Sequence, residues 1–98
     1  MTINTAKEGT ALTVALEGRL DTTTAPELEK ALTEALDGVE TLIIDLAKLE
    51  YISSAGLRVL LSAQKRMMKQ GAMQVIHVNE AIMEICEVTG FSDILTIE

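Results

Sequence analysis

Two adjacent hydroxyls, Ser53 and Ser54, stand in the stretch "ISSAGLRVLL", between a strand-like apolar segment and a leucine-rich helical one. A serine at such a junction can cap the helix, because its oxygen accepts a backbone N–H that has no partner inside the helix. The same place also suits a phosphate. Free N–H groups and the positive end of the helix dipole meet there, and a phosphorylated serine brings about −1.5 to −2 charges. A serine nucleophile would need a base beside it. The single histidine, His77, is the only imidazole that could serve, and nothing in the spacing brings it near Ser53 or Ser54. His77 lies within the apolar "MQVIHV" and reads as structural. Cys86 falls on the apolar stripe of a helix and reads as a core thiol. One His and one Cys cannot build a metal site by themselves, and none of the six glycines opens a phosphate-binding loop or a dinucleotide fingerprint. No catalytic constellation, metal site or cofactor motif is evident, and the serines stay open between a cap and a phosphate site.

The elements that position the serines follow from periodicity. Thr2 to Ala6 and Ala11 to Glu17 read as strands around "KEGT", with Gly9 at the turn and Leu12, Val14 and Leu16 alternating. A helix follows, starting at Thr24 or Ala25. Leu28, Ala31, Leu32, Ala35 and Leu36 form its apolar stripe, Thr24 and Glu27 fit a capping box, Pro26 suits the first turn, and Gly38 is a stop. The run Thr41 to Leu46 predicts a central strand buried on both faces, and "AKLEYIS" a connection. From Ser54 a second helix runs to Gly71, with Leu57, Leu60, Leu61, Gln64 and Met68 on one face. Met73 to Val78 predicts a strand. Asn79 caps a third helix with the stripe Ile82, Ile85 and Cys86, ended by Gly90, and "DILTIE" predicts a closing strand. The order β-β-α-β-α-β-α-β implies an α/β domain, a mixed sheet with helices packed on it, parallel after its first strands.

The chain has 98 residues, enough for one domain spanning 1–98, and 48% of them are hydrophobic although only Tyr51 and Phe91 are aromatic. The core is therefore aliphatic. The net charge of −7 speaks against a nucleic-acid partner, which needs a positive surface. Arg58, Lys65, Arg66 and Lys69 share one helix and read as a solvated face. The lone cysteine forms no internal bridge and no signal peptide is evident, so a cytoplasmic setting is expected. No apolar run reaches the roughly 18 residues of a membrane span.

The segment "IIDLAKLEYISSAGLRVLL" resembles the signature of STAS domains, the anti-sigma factor antagonists. In that family an apolar strand ends in Asp, and after a short connection Asp-Ser-x-Gly-Leu opens a helix. Asp45 and Ser54-Ala55-Gly56-Leu57 match these parts, and "GRLDTTTAPEL" resembles the family's Gly-x-Leu-Asp turn through Gly18, Leu20 and Asp21. Ser53 stands where the family commonly has Asp. The resemblance implies an anti-anti-sigma factor that regulates transcription by partner switching. The unphosphorylated protein would bind an anti-sigma factor with serine kinase activity of the GHKL ATPase type and so release a sigma factor. Phosphorylation at Ser54 would break that complex, and a PP2C-type phosphatase would reset it. The implied docking face is Asp21, Thr22, Ser53, Ser54, Gly56 and Leu57. The alternative is a STAS module of another assembly, such as a signalling scaffold or a lipid-transport complex.

Overall fold

The computed structural model describes residues 1–97. The chain runs β1 (Thr2–Glu8), β2 (Ala11–Leu20), α1 (Ala25–Ala35), β3 (Thr41–Ile52), α2 (Ser54–Gln70), β4 (Ala72–Ile76) and α3 (Glu80–Thr89), then a 3₁₀ turn at Phe91–Asp93. The strands form one sheet in the order β1-β2-β3-β4. β1 and β2 make an antiparallel hairpin, while β2–β3 and β3–β4 are parallel. Two successive right-handed crossovers that advance across a sheet in one direction leave their helices on the same face. Accordingly, Leu12, Val14 and Leu16 of β2, Leu42, Ile44 and Leu46 of β3, and Met73 and Val75 of β4 join the buried residues of all three α-helices in one core cluster.

This one-sided arrangement corrects the expectation for β3. Leu42, Ile44 and Leu46 are buried, but Ile43 and Asp45, pointing the other way, are only partly so. The strand is also longer than its apolar run. Instead of a connection, 47–52 continues β3 alongside β2, with register shifts at Ala15/Glu17 and Gly18/Arg19. Each shift inserts an extra β3 residue and resets the alternation, so Lys48 and Glu50 are exposed while Leu49 and Ile52 are buried.

Helix α2 begins and ends as expected, but its buried stripe is shifted by a residue near the end. Met67 is fully buried, whereas Met68 is 72% exposed. β4 stops at Ile76, before His77, which adopts a left-handed φ of 58°. His77 is therefore not inside the strand. Its ring is exposed and its Nδ1 lies 2.9 Å from Asp45 Oδ1. The closing strand reduces to a single parallel bridge between Val75 and Ile97, with the Val75 N–H donating to Thr96 O at 2.8 Å. Glu98 lies outside the described residues.

Candidate functional site

The parallel pairing of β2 and β3 sets Leu20 beside Ile52 where both strands end. The next residues are Asp21 on one chain segment and Ser53 on the other, and the Ser53 N–H donates to Leu20 O at 2.8 Å. Two turns distant in sequence are thus neighbours at one end of the sheet.

The first turn is organised by Asp21. Its Oδ1 accepts the Thr23 N–H at 3.0 Å, the Thr23 hydroxyl at 2.7 Å and the Thr24 N–H at 3.2 Å. These bonds, led by the Thr23 hydroxyl, hold its carboxyl below the usual carboxylate range, against a smaller upward push from burial. Arg19 Nε lies 3.9 Å from Asp21 Oδ2, and its guanidinium also stacks over the Tyr51 ring at 4.4 Å. Thr24 is the cap residue of α1, but the capping box does not form. Its oxygen instead accepts the Asp21 N–H at 2.8 Å, and its hydroxyl donates to Arg19 O at 2.9 Å. Thr24 is turned back into the turn that precedes it, so it has no oxygen to offer the helix. Thr22 projects from this turn and is exposed.

The second turn separates the two serines. Ser53 is the cap of α2, with extended backbone and its oxygen accepting the Gly56 N–H at 3.4 Å. Ser54 is the first helical residue and is exposed. Arg58, one turn further on the same face, is exposed as well. Gly56 and Leu57 are buried. A Cβ on Gly56 would fall 2.6 Å from Leu20 Cγ and 3.0 Å from Ile52 Cγ1. The glycine thus lets the start of α2 sit down on the ends of β2 and β3, which fixes where Ser54 emerges. Of the six residues singled out in the sequence, Thr22 and Ser54 are exposed, and Asp21 and Ser53 are partly so. Gly56 and Leu57 act on a surface only through the positions of their neighbours.

Sequence reasoning missed a groove between α1 and α2. Thr22, Ala25 and Pro26 form one wall, and Ala55, Arg58 and Val59 the other. Helical spacing in α2 places Ala55 and Val59 on one strip, but the facing α1 residues come together with them only through packing. A second pairing missed in the sequence is that of Asp45 and His77. The Ala47 N–H at 2.9 Å, followed by His77, holds the Asp45 carboxyl below the usual range.

A STAS domain family model matches residues 2–98. The chain belongs to the STAS domain family. The anti-sigma-B factor antagonist of Listeria monocytogenes is 32% identical over 84 residues, which are 83% of this chain and 73% of the relative. The crystal structure of an anti-sigma factor antagonist from Mycobacterium paratuberculosis superimposes with a TM-score of 0.87 and 26% identity, covering 98% of this chain and 83% of that one. SpoIIAA has the same fold in two states. Its unphosphorylated form gives a TM-score of 0.79 at 14% identity over 99% of this chain and 87% of that one. The phosphorylated Bacillus form gives 0.76 at 14% identity over 99% and 91%. This STAS domain is thus of the anti-sigma factor antagonist kind, and among its described residues no helix is long and apolar enough to cross a membrane.

Proposed function

We propose that this STAS domain is a cytoplasmic, phosphorylation-switched antagonist. In its unphosphorylated state it binds an anti-sigma factor that is also a serine kinase, and so frees a sigma factor. The kinase modifies Ser54, which ends the complex, and a PP2C-type phosphatase restores it. The observation that carries this reading is the exposure of Ser54 at the first position of α2, directly after Ser53, whose N–H bonds Leu20 O next to the Asp21 turn. Arg58 on the same helix face offers a cation to an added phosphate. The protein works as a binding surface rather than an enzyme, and the buried, unpaired Cys86 suits a reducing compartment.

A phosphate on Ser54 acts at the interface. At the helix N-terminus the dipole offsets its charge by about 0.3–1 kcal/mol, so the fold tolerates it. Against a partner shaped for a neutral hydroxyl, an unpaired buried charge costs several kcal/mol. Since each 1.4 kcal/mol is about tenfold, affinity falls on the order of a hundredfold or more. The test is incubation with the cognate kinase and ATP, followed by phosphopeptide mapping, together with a pull-down using wild type, Ser54→Ala and Ser54→Asp. Phosphate on Ser54 and loss of the partner from Ser54→Asp alone support the reading. Modification of Ser53 only, or equal capture by all three proteins, defeats it. Equal capture of scaffold or transport components would favour a STAS module of another assembly.

A further inference from the structure

The charges of the last two helices are segregated. α2 carries Arg58, Lys65, Arg66 and Lys69 and no acidic residue, while α3 carries Glu80, Glu84 and Glu87 and no basic one. Among the described residues, none of these three glutamates is in an ion pair. The same two helices present apolar side chains to solvent. Of the large hydrophobics that the described structure leaves exposed, Met68 (72%) is on α2, Val88 (82%) is on α3, and Ile94 (50%) lies in the segment that follows α3.

The spacing of the two faces matches. On α3, Ala81, Ile85 and Val88 follow at i, i+4 and i+7 and form a stripe about 100° round the helix from buried Ile82 and Cys86, with Glu84 alongside. On α2, half-buried Leu61 and exposed Lys65 and Met68 repeat that spacing about 100° round the helix from buried Leu60, Gln64 and Met67, with Lys69 alongside. The α3 face is apolar with an acidic margin, and the α2 face sets exposed Met68 between Lys65 and Lys69.

We propose that the outward face of α3 docks on the outward face of α2 in a second copy of this chain. Lys65 and Lys69 meet Glu84 and Glu87, and Met68 packs on Ile85 and Val88. The contact is head-to-tail, so a pair keeps one free α2 face and one free α3 face, and association continues beyond a dimer unless it closes into a ring. A single helix pair buries less than a standard interface, so the association is weak and concentration-dependent. Its salt dependence has a definite sign. At about 0.1 M salt the Debye length of about 10 Å screens the repulsion between whole molecules of like net charge, while touching pairs stay coupled. At about 1 M the length is about 3 Å, and the contact attraction is lost as well. The proposed contact is remote from Ser54. Met68 lies about 21 Å along α2 from it at about 1.5 Å per residue, so self-association and the proposed switch are compatible and separately testable.

Sedimentation velocity of the intact chain is the test. The wild type is expected to gain mass with concentration at about 0.1 M salt and to return to monomer at about 1 M. Lys65→Glu/Lys69→Glu and Glu84→Lys/Glu87→Lys should each remain monomeric, because each opposes like charges. Mixed together they should associate again, because every α2 face then finds an α3 face of opposite sign. All four positions are exposed, and thermal melts of both variants check that the fold is kept. A wild type that stays monomeric at millimolar concentration overturns the proposal. So does association that survives in either variant, or a mixture that remains monomeric. Association lost only in the α3 variant would mean a symmetric α3 contact, and equally sinks it.

Discussion

Ser53 and Ser54 are neighbours of one type in different surroundings. Ser53 has its oxygen on the Gly56 N–H, and Ser54 has its side chain in solvent. Ser53→Ala should therefore lower stability by about 1 kcal/mol, the usual size of a lost cap, measured by urea denaturation, and should leave kinase modification in place. Ser54→Ala should do the reverse. Asp21 is more firmly built in than an exposed turn residue, since three hydrogen bonds converge on one of its oxygens. Asp21→Lys is expected to reduce melting temperature as well as partner binding, whereas Thr22→Lys should affect binding alone. Calorimetry and a binding titration on both variants would separate these effects. The lowered carboxyl of Asp45 makes a pH prediction. Its folded-state pKa lies below the unfolded value of about 4. Its stabilisation is therefore complete above that value and is lost as pH falls through the folded pKa. The gap in urea midpoint between wild type and Asp45→Asn should be full at neutral pH and narrow as the pH falls below the unfolded value. A gap unchanged in acid would mean that the charged carboxylate is not what stabilises this part of the sheet.

At the scale of elements, two contacts decide how helices meet the sheet. Gly56 admits α2 to the ends of β2 and β3. Gly56→Ala would push a methyl into Leu20, with an expected cost of about 1–3 kcal/mol, typical of overpacking. Because the helix start would shift outward, kinase modification of Ser54 should slow too. An alanine variant with unchanged stability would show that α2 is less tightly seated. Asn79 joins α3 to the rest of the domain. Its Oδ1 accepts the Ile82 N–H at 2.9 Å while its Nδ2 donates to Leu49 O at 3.0 Å. Asn79→Ala loses both the cap and the tie, and a loss of about 1–2 kcal/mol is expected in denaturant titrations. Asn79→Asp keeps the cap acceptor alone and should fall between the two.

For the whole molecule, phosphorylation should leave the fold in place. The expected record is amide shifts confined to the neighbourhood of Ser53 to Leu57 and of Asp21 to Thr24, with the melting temperature nearly unchanged. Shifts spread across all strands would instead mean that the phosphate rearranges the domain. How far such a molecule is legible from its residues depends on the range of the interactions involved. The starts of α2 and α3, their ends at Gly71 and Gly90, and the junction holding Ser54 are set by caps and periodicity within a few residues, and these were readable in advance. Met67 and Met68 differ by one position near the end of a long helix, where an error of 100° in phase exchanges the core for solvent. The fate of "AKLEYIS" could not be read locally, because two bulges break the alternation that identifies a strand and only the ladder with β2 restores it. His77 looked like part of an apolar strand, but β4 ends before it and the chain turns through a left-handed residue towards α3. Local sequence alone thus determined the α/β class, the boundaries of α2 and α3 and the serine at a helix start. Tertiary structure decided that the helices cover one face of the sheet, that the Asp21 turn lies beside Ser53, and that a groove opens between α1 and α2. Those outcomes depend on hydrogen bonds and packing between residues about thirty positions apart, such as Leu20 and Ile52, and no pattern within a single segment records which distant segment will pair with it.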